Sequence, residues 1–109
     1  MNLSMPVATM LLELRIQHAQ SLKDRRQVVR SLKAKLSHGF NISIAEMDES
    51  PTWQSATLGI AAISASRDYL SGLMQQLESA ALRIAGGLGA EVMVSWDFLD
   101  SGIDSDPAS

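Results

Sequence analysis

Six of the nine Lys and Arg residues lie between Lys23 and Lys35, and residues of that type so spaced can hold phosphates or other anions. From Arg15 to His38 seven basic residues face one acid, Asp24, while the rest of the chain sets eleven acids against two basic residues. A chain of formal charge -3 is therefore strongly polarised. At about 100° per residue, Lys23, Arg26, Arg30 and Lys33 fall within about 80° of one another on a helix, one stripe opposite or flanking an apolar face. Four phosphate contacts would give a salt slope of about -3.6, a modest electrostatic anchor. A solvated face that keeps the protein soluble is the plain alternative. Arg25 points nearer the core side, where its stem can cover the sheet edge while the guanidinium reaches a carboxylate or carbonyl.

Other residues offer less chemistry. His18 and His38 are far apart in sequence, and the chain has no cysteine, so neither thiolate ligation nor a thiol nucleophile is available. Glu46, Asp48 and Glu49 could hold a hard cation, but acids in a turn before Pro51 need no such explanation. Gly86-Gly87-Leu88-Gly89 follows a helical pattern and lacks the Gly-Lys-Ser/Thr of a phosphate loop, so it reads as a helix stop and turn. The expectation is a protein with no catalytic residue, no metal, no cofactor and no small-molecule substrate.

The elements that must position these side chains follow from periodicity. Between Val7 and Gln17, Met10, Leu12, Leu14 and Ile16 fall on one face and Thr9, Glu13, Arg15 and Gln17 on the other, predicting a half-buried strand. Ser21 then precedes a helical pattern of Leu22, Val28, Val29, Leu32 and Leu36, with Asp24 as a capping-box partner and Gly39 as the stop. Phe40, Ile42 and Ile44 alternate, as do Ala56, Leu58, Ile60 and Ala62 beyond a turn-rich patch at Asp48 to Pro51. Ser66 opens a second helix carrying Leu70, Leu73, Leu77, Ala81 and Ile84, and Val92, Val94, Trp96 and Phe98 form a last strand.

The order βαββαβ predicts an α+β fold of the ferredoxin-like kind, a four-stranded antiparallel sheet in the order 4-1-3-2 with two helices on one face. At 109 residues and 46% hydrophobic, one domain spanning residues 7–99 is expected, with 1–6 and 100–109 as flexible termini. The predicted core includes Leu14, Leu32, Ile42, Ile60, Leu77 and Val94. Trp96 is in phase with its strand's buried set, while Trp53 is the more exposed indole. The open sheet face would carry Leu11, Met47, Ile63 and Met93 as a protein-interface candidate, including pairing with another copy. It lacks the aromatic platform on which RNA-recognition domains of this topology stack bases, since the first strand has no aromatic residue and the third presents Ser55, Thr57, Gly59, Ala61 and Ile63.

Three motifs, Ser-Leu-Lys-Asp-Arg-Arg at 21–26, Phe-Asn-Ile-Ser-Ile-Ala-Glu at 40–46 and Trp-Gln-Ser-Ala-Thr-Leu-Gly-Ile-Ala at 53–61, resemble the YlxP-like bacterial proteins, a domain family of unknown function. The resemblance runs from about Val7 to Leu99. It implies a ferredoxin-like fold, a cytosolic bacterial protein, and genes that often neighbour those of translation-initiation and ribosome-maturation factors. It brings no catalytic residue. Ser37-His38-Gly39 stands where relatives usually carry more Arg or Lys, which thins the basic surface.

These readings converge on a small, non-enzymatic, cytoplasmic binding protein that docks on ribosomal RNA or a ribosomal subunit through Lys23, Arg26, Arg30 and Lys33. The competing expectation is an interaction or homodimerising module that uses the open sheet face. The first residues carry no basic n-region and Glu13 interrupts the first apolar stretch, so neither a signal segment nor membrane association is expected.

Overall fold

Alternation over Val7–Arg15 makes a central strand, β1, whose inward residues Ala8, Met10, Leu12 and Leu14 are all buried. The computed structural model describes residues 5–49 and 52–99. After β1 come α1 (Leu22–Gly39), β2 (Ser43–Glu46), β3 (Ser55–Ile63), α2 (Arg67–Gly87) and β4 (Glu91–Leu99). The strands form one antiparallel sheet in the order β2-β3-β1-β4, which is the expected 4-1-3-2 order read from the other edge. The fold is therefore ferredoxin-like, with β1 and β3 in the middle and β2 and β4 at the edges.

Both helices begin as the sequence predicts. Ser21 Oγ accepts from Asp24 N at 3.1 Å, and Asp24 Oδ2 accepts from Gln20 N at 2.9 Å, so the box closes one residue before the cap. Ser66 Oγ caps α2 by accepting from Tyr69 N. At the other end of α2, Gly89 has φ +77°, a backbone that favours glycine, and turns the chain into β4. The Gly86–Gly89 segment is thus a helix stop and turn.

α1 covers β2 and β3, and α2 covers β1 and β4. Leu12, Ile16, Leu32, Leu36, Leu58, Leu70, Met74 and Leu77 are the largest side chains fully buried between the layers. Of the predicted core, Leu14, Leu32, Ile60 and Leu77 are buried, but Ile42 and Val94 are only half-buried. Two helices do not span the width of four strands, so apolar residues at the sheet margins keep one flank open.

β2 is shorter than the alternation from Phe40 suggests. Phe40 is the C-cap of α1, its N–H donating to Leu36 O at 3.0 Å, and Ile42 N turns back onto Phe40 O at 3.1 Å. Pairing with β3 starts only at Ser43. At the N-terminus Pro6 is buried and its carbonyl accepts from Ser64 N. Residues 1–4 and 100–109 of the expected flexible termini lie outside the described residues, as do Ser50 and Pro51 of the expected turn.

Candidate functional site: a cationic groove beside the β2 edge

The sequence that places cations on α1 also fixes how the helix meets the sheet, through Arg25. This side chain is 5% exposed, and three of its N–H groups are taken. Nε donates to Ser55 O at 2.8 Å, Nη1 to Glu46 Oε1 at 2.7 Å and Nη2 to Asp48 Oδ2 at 2.9 Å. Asp48 Oδ2 also accepts from Thr57 N at 2.8 Å, replacing the backbone acceptor that β3 loses where β2 ends. Each charge is thereby paired or hydrogen-bonded, which a buried guanidinium requires. Arg25 reaches both a carbonyl and carboxylates, as its helical phase implies, and it is a structural residue of the α1–sheet junction. Glu46 and Asp48 are engaged by this guanidinium.

One turn further out, Arg26, Arg30 and Lys33 line a groove of about 330 Å³ between α1 and the β2 edge, floored by Leu22, Val29 and Arg25 and bounded by Glu46. Arg26 and Arg30 are exposed and Lys33 is half-buried. Among the described residues none of these three is paired with an acid, because the salt bridges found there are both Arg25's. Their charge is therefore available to an anion. Lys23 is exposed but does not line this groove, so the structure brings together three of the four predicted residues. Glu46, which the sequence groups only with the turn acids Asp48 and Glu49, also lines this groove. Its side chain is 39% exposed on the groove's rim and would repel an entering phosphate, although Arg25 holds it.

The open sheet face is the second candidate. A shallow concavity of about 640 Å³ is lined by Leu11 and Met47 with Ala45, Gly59, Ser95 and Asp97 among others. Met47 lies flat across Gly59, where an added Cβ would sit 3.0 Å from its sulfur, so the missing side chain on β3 makes the floor. Ile63 and Met93 are more exposed still, at 63% and 72%, but neither lines this concavity. Ile63 borders a separate hollow with Val7 and Ile42. The face carries no aromatic residue on β1 or β3.

The histidines are not gathered into a site. His18 packs its ring against Gly89, and His38 is exposed in the last turn of α1. Among the described residues no three His, Asp or Glu side chains come together as a metal would need, and no helix is long and apolar enough to cross a membrane. Trp53 is 53% exposed, whereas Trp96 is half-buried and stacks edge-on against Phe98 at 5.8 Å between centroids.

Comparison with known proteins bears on family and fold. A family model described as "Protein of unknown function (DUF503)" matches residues 7–92. A Bacillus subtilis (strain 168) protein, "Uncharacterized protein YlxP", is 42% identical over 52 residues, covering 48% of this chain and 56% of that protein. Among solved structures, the Bacillus subtilis YXEP protein, titled a dinuclear metal binding peptidase from the M20 family, superposes with TM-score 0.63 at 13% identity. That match covers 87% of this chain but 26% of the peptidase. The de novo designed protein Foldit4 superposes with TM-score 0.56 at 5% identity, covering 90% of this chain and 99% of the design. A peptidase segment and a designed protein sharing one fold show that the architecture carries no activity of its own.

Proposed function

Because the chain belongs to the DUF503 family, whose description assigns no function, we propose its role from its own surface: a small, non-enzymatic binding module that docks on RNA phosphates through α1. The observation that carries this reading is the convergence of Arg26, Arg30 and Lys33 on one groove, unpaired by any described acid. Here three cations line one groove with Leu22 and Val29, and Arg25 fixes the helix that bears them. Guanidinium groups suit phosphate because they can donate two parallel hydrogen bonds. The missing aromatic platform limits such binding to the backbone, so recognition is by charge and shape rather than base sequence. Ribosomal RNA or a ribosomal subunit is the partner class this favours.

Co-sedimentation with ribosomal subunits at low and moderate salt tests the reading. The variant Lys23→Glu/Arg26→Glu/Arg30→Glu/Lys33→Glu should stay folded by circular dichroism, since single exposed changes usually cost under about 0.5 kcal/mol. It should lose association, and the parent should lose it as salt rises. A folded variant that still co-sediments overturns the proposal.

A second reading has its own observation, the apolar concavity on the open face, which fits a protein surface better than an RNA. Salt-resistant association that disappears in Leu11→Lys but survives the α1 reversal would favour it.

A further inference from the structure

We propose that β4 is a dimerisation edge, pairing antiparallel with β4 of a second copy about a two-fold axis at Ser95 to make one continuous eight-stranded sheet. The edge carries few of the devices by which folded proteins usually blunt such strands: its acids are Glu91 and Asp97, Asp97 Oδ1 takes the Phe98 N–H, and the Arg67 guanidinium lies 4.0 Å over the Phe98 ring. It is nine residues long, pairs with β1 at every position without a bulge, and contains no Pro, Lys or Arg.

The direction of its backbone groups is fixed by two hydrogen bonds. Ile16 N donates to Gln54 O at 2.8 Å, so the even residues of β1 face β3 and its odd residues face β4. The register Leu11↔Ser95 and Glu13↔Met93 then commits the odd residues of β4 to β1. Phe98 N accordingly donates not to β1 but to its neighbour's Asp97 Oδ1, at 2.8 Å. Val92, Val94, Trp96 and Phe98 therefore turn their backbone N–H and C=O groups to the outer edge, where no described residue pairs with β4.

The side chains select the partner. On the helix side of β4 the same four residues are half-buried, an apolar row that α2 covers only in part. Opposite residues in an antiparallel pair share a face, so a two-fold pairing can be centred only on a residue. Centred on Ser95, all nine residues pair, with Phe98 N exchanging Asp97 Oδ1 for the carbonyl of the partner's Val92. Val94 meets the partner's Trp96 and Val92 meets the partner's Phe98, aromatic against β-branched, which are stabilising cross-strand combinations. On the open side Met93 meets the partner's Asp97 and Glu91 meets the partner's Leu99, so no acid faces an acid. Centring on Val94 instead would set Glu91 against the partner's Asp97, and centring on Asp97 would set that acid against itself. The same strand thus supplies hydrogen bonds, apolar pairs and a charge pattern that fit a second copy, and Ser95 is the centre at which all nine residues pair. The cationic groove lies by the β2 edge, so a dimer would hold its two grooves at opposite ends of the sheet.

The chain contains no cysteine, which makes single-cysteine variants of the full protein clean reporters. Odd positions form the non-hydrogen-bonded pairs, whose Cα atoms lie about 4.5 Å apart, within the range a disulfide spans. Under mild oxidation, Ser95→Cys should therefore become a covalent dimer. Met93→Cys alone and Asp97→Cys alone should stay monomeric on a non-reducing gel, while a mixture of the two should cross-link. Leu11→Cys should not cross-link, because two β4 strands would separate it from its counterpart. Failure of Ser95→Cys to cross-link, or equal cross-linking by Met93→Cys alone, overturns the pairing. Cross-linking through Leu11→Cys would place the contact on the sheet face instead.

Discussion

The two edges of the sheet are finished in opposite ways. At the β2 edge the strand is four residues long, and side chains take over where backbone pairing stops: Asp48 accepts from Thr57 N, and Arg25 donates to Ser55 O while holding Glu46 and Asp48. At the β4 edge nine residues run without interruption, and among the described residues the one side chain that hydrogen-bonds the backbone edge is Asp97, on its own neighbour's N–H. The first edge is short, and past its end β3 is capped by a charge network borrowed from a helix, which also anchors the cations of the groove. The second is left as a template. A fold this small can offer two kinds of surface because its two margins carry different chemistry, not because its layers differ.

The largest effect should come from what both edges share. Leu32→Ala empties a fully buried site between α1 and the sheet and should cost about 2–5 kcal/mol in chemical denaturation. Amide exchange should then quicken at both edges together, and exchange confined to one edge would show that the core is not common to them.

Arg25→Met keeps the stem and removes the guanidinium, leaving Glu46 and Asp48 without their partner. A cost of about 3 kcal/mol is expected, as for breaking a buried ion pair from one side. Faster exchange should concentrate at β2 and the start of β3 while β4 is unchanged. Equal quickening at β4 would mean that the edges are not independent. Glu46→Gln removes only the half-exposed arm of the pair and should change stability by less than about 1 kcal/mol. By removing the one acid of the groove's rim it should strengthen RNA association, so the smallest stability effect carries a gain in binding.

Much of this contrast can be seen in the residues themselves. The element order, the serine caps and the inward alternation of β1 and β3 are local patterns, and local patterns survive without tertiary information. Arg25 is legible too, since its helical phase departs from the stripe and a cation on the core side must find an acceptor. The acceptor's identity is not, because Asp48 and Glu46 lie more than twenty residues away and only the fold brings them to α1. The same limit explains Lys23. A helical projection groups it with Arg26, Arg30 and Lys33, but the groove exists only where α1 passes the β2 edge, and Lys23 stands clear of it. Leu11, Met47, Ile63 and Met93 alternate onto one face, yet the face is wide and only the first two share a hollow.

The salt dependence of RNA binding by single variants tests most directly whether the three converging cations of α1 hold phosphates. For three phosphate contacts on single-stranded RNA the parent's log K against log salt should have a slope of about -2. Arg30→Gln, inside the groove, should flatten that slope by a little under about one unit, whereas Lys23→Gln, outside it, should leave it unchanged. Equal flattening by Lys23→Gln and Arg30→Gln would show diffuse charge rather than a groove, and an unaltered slope in Arg30→Gln would mean that the groove holds no phosphate.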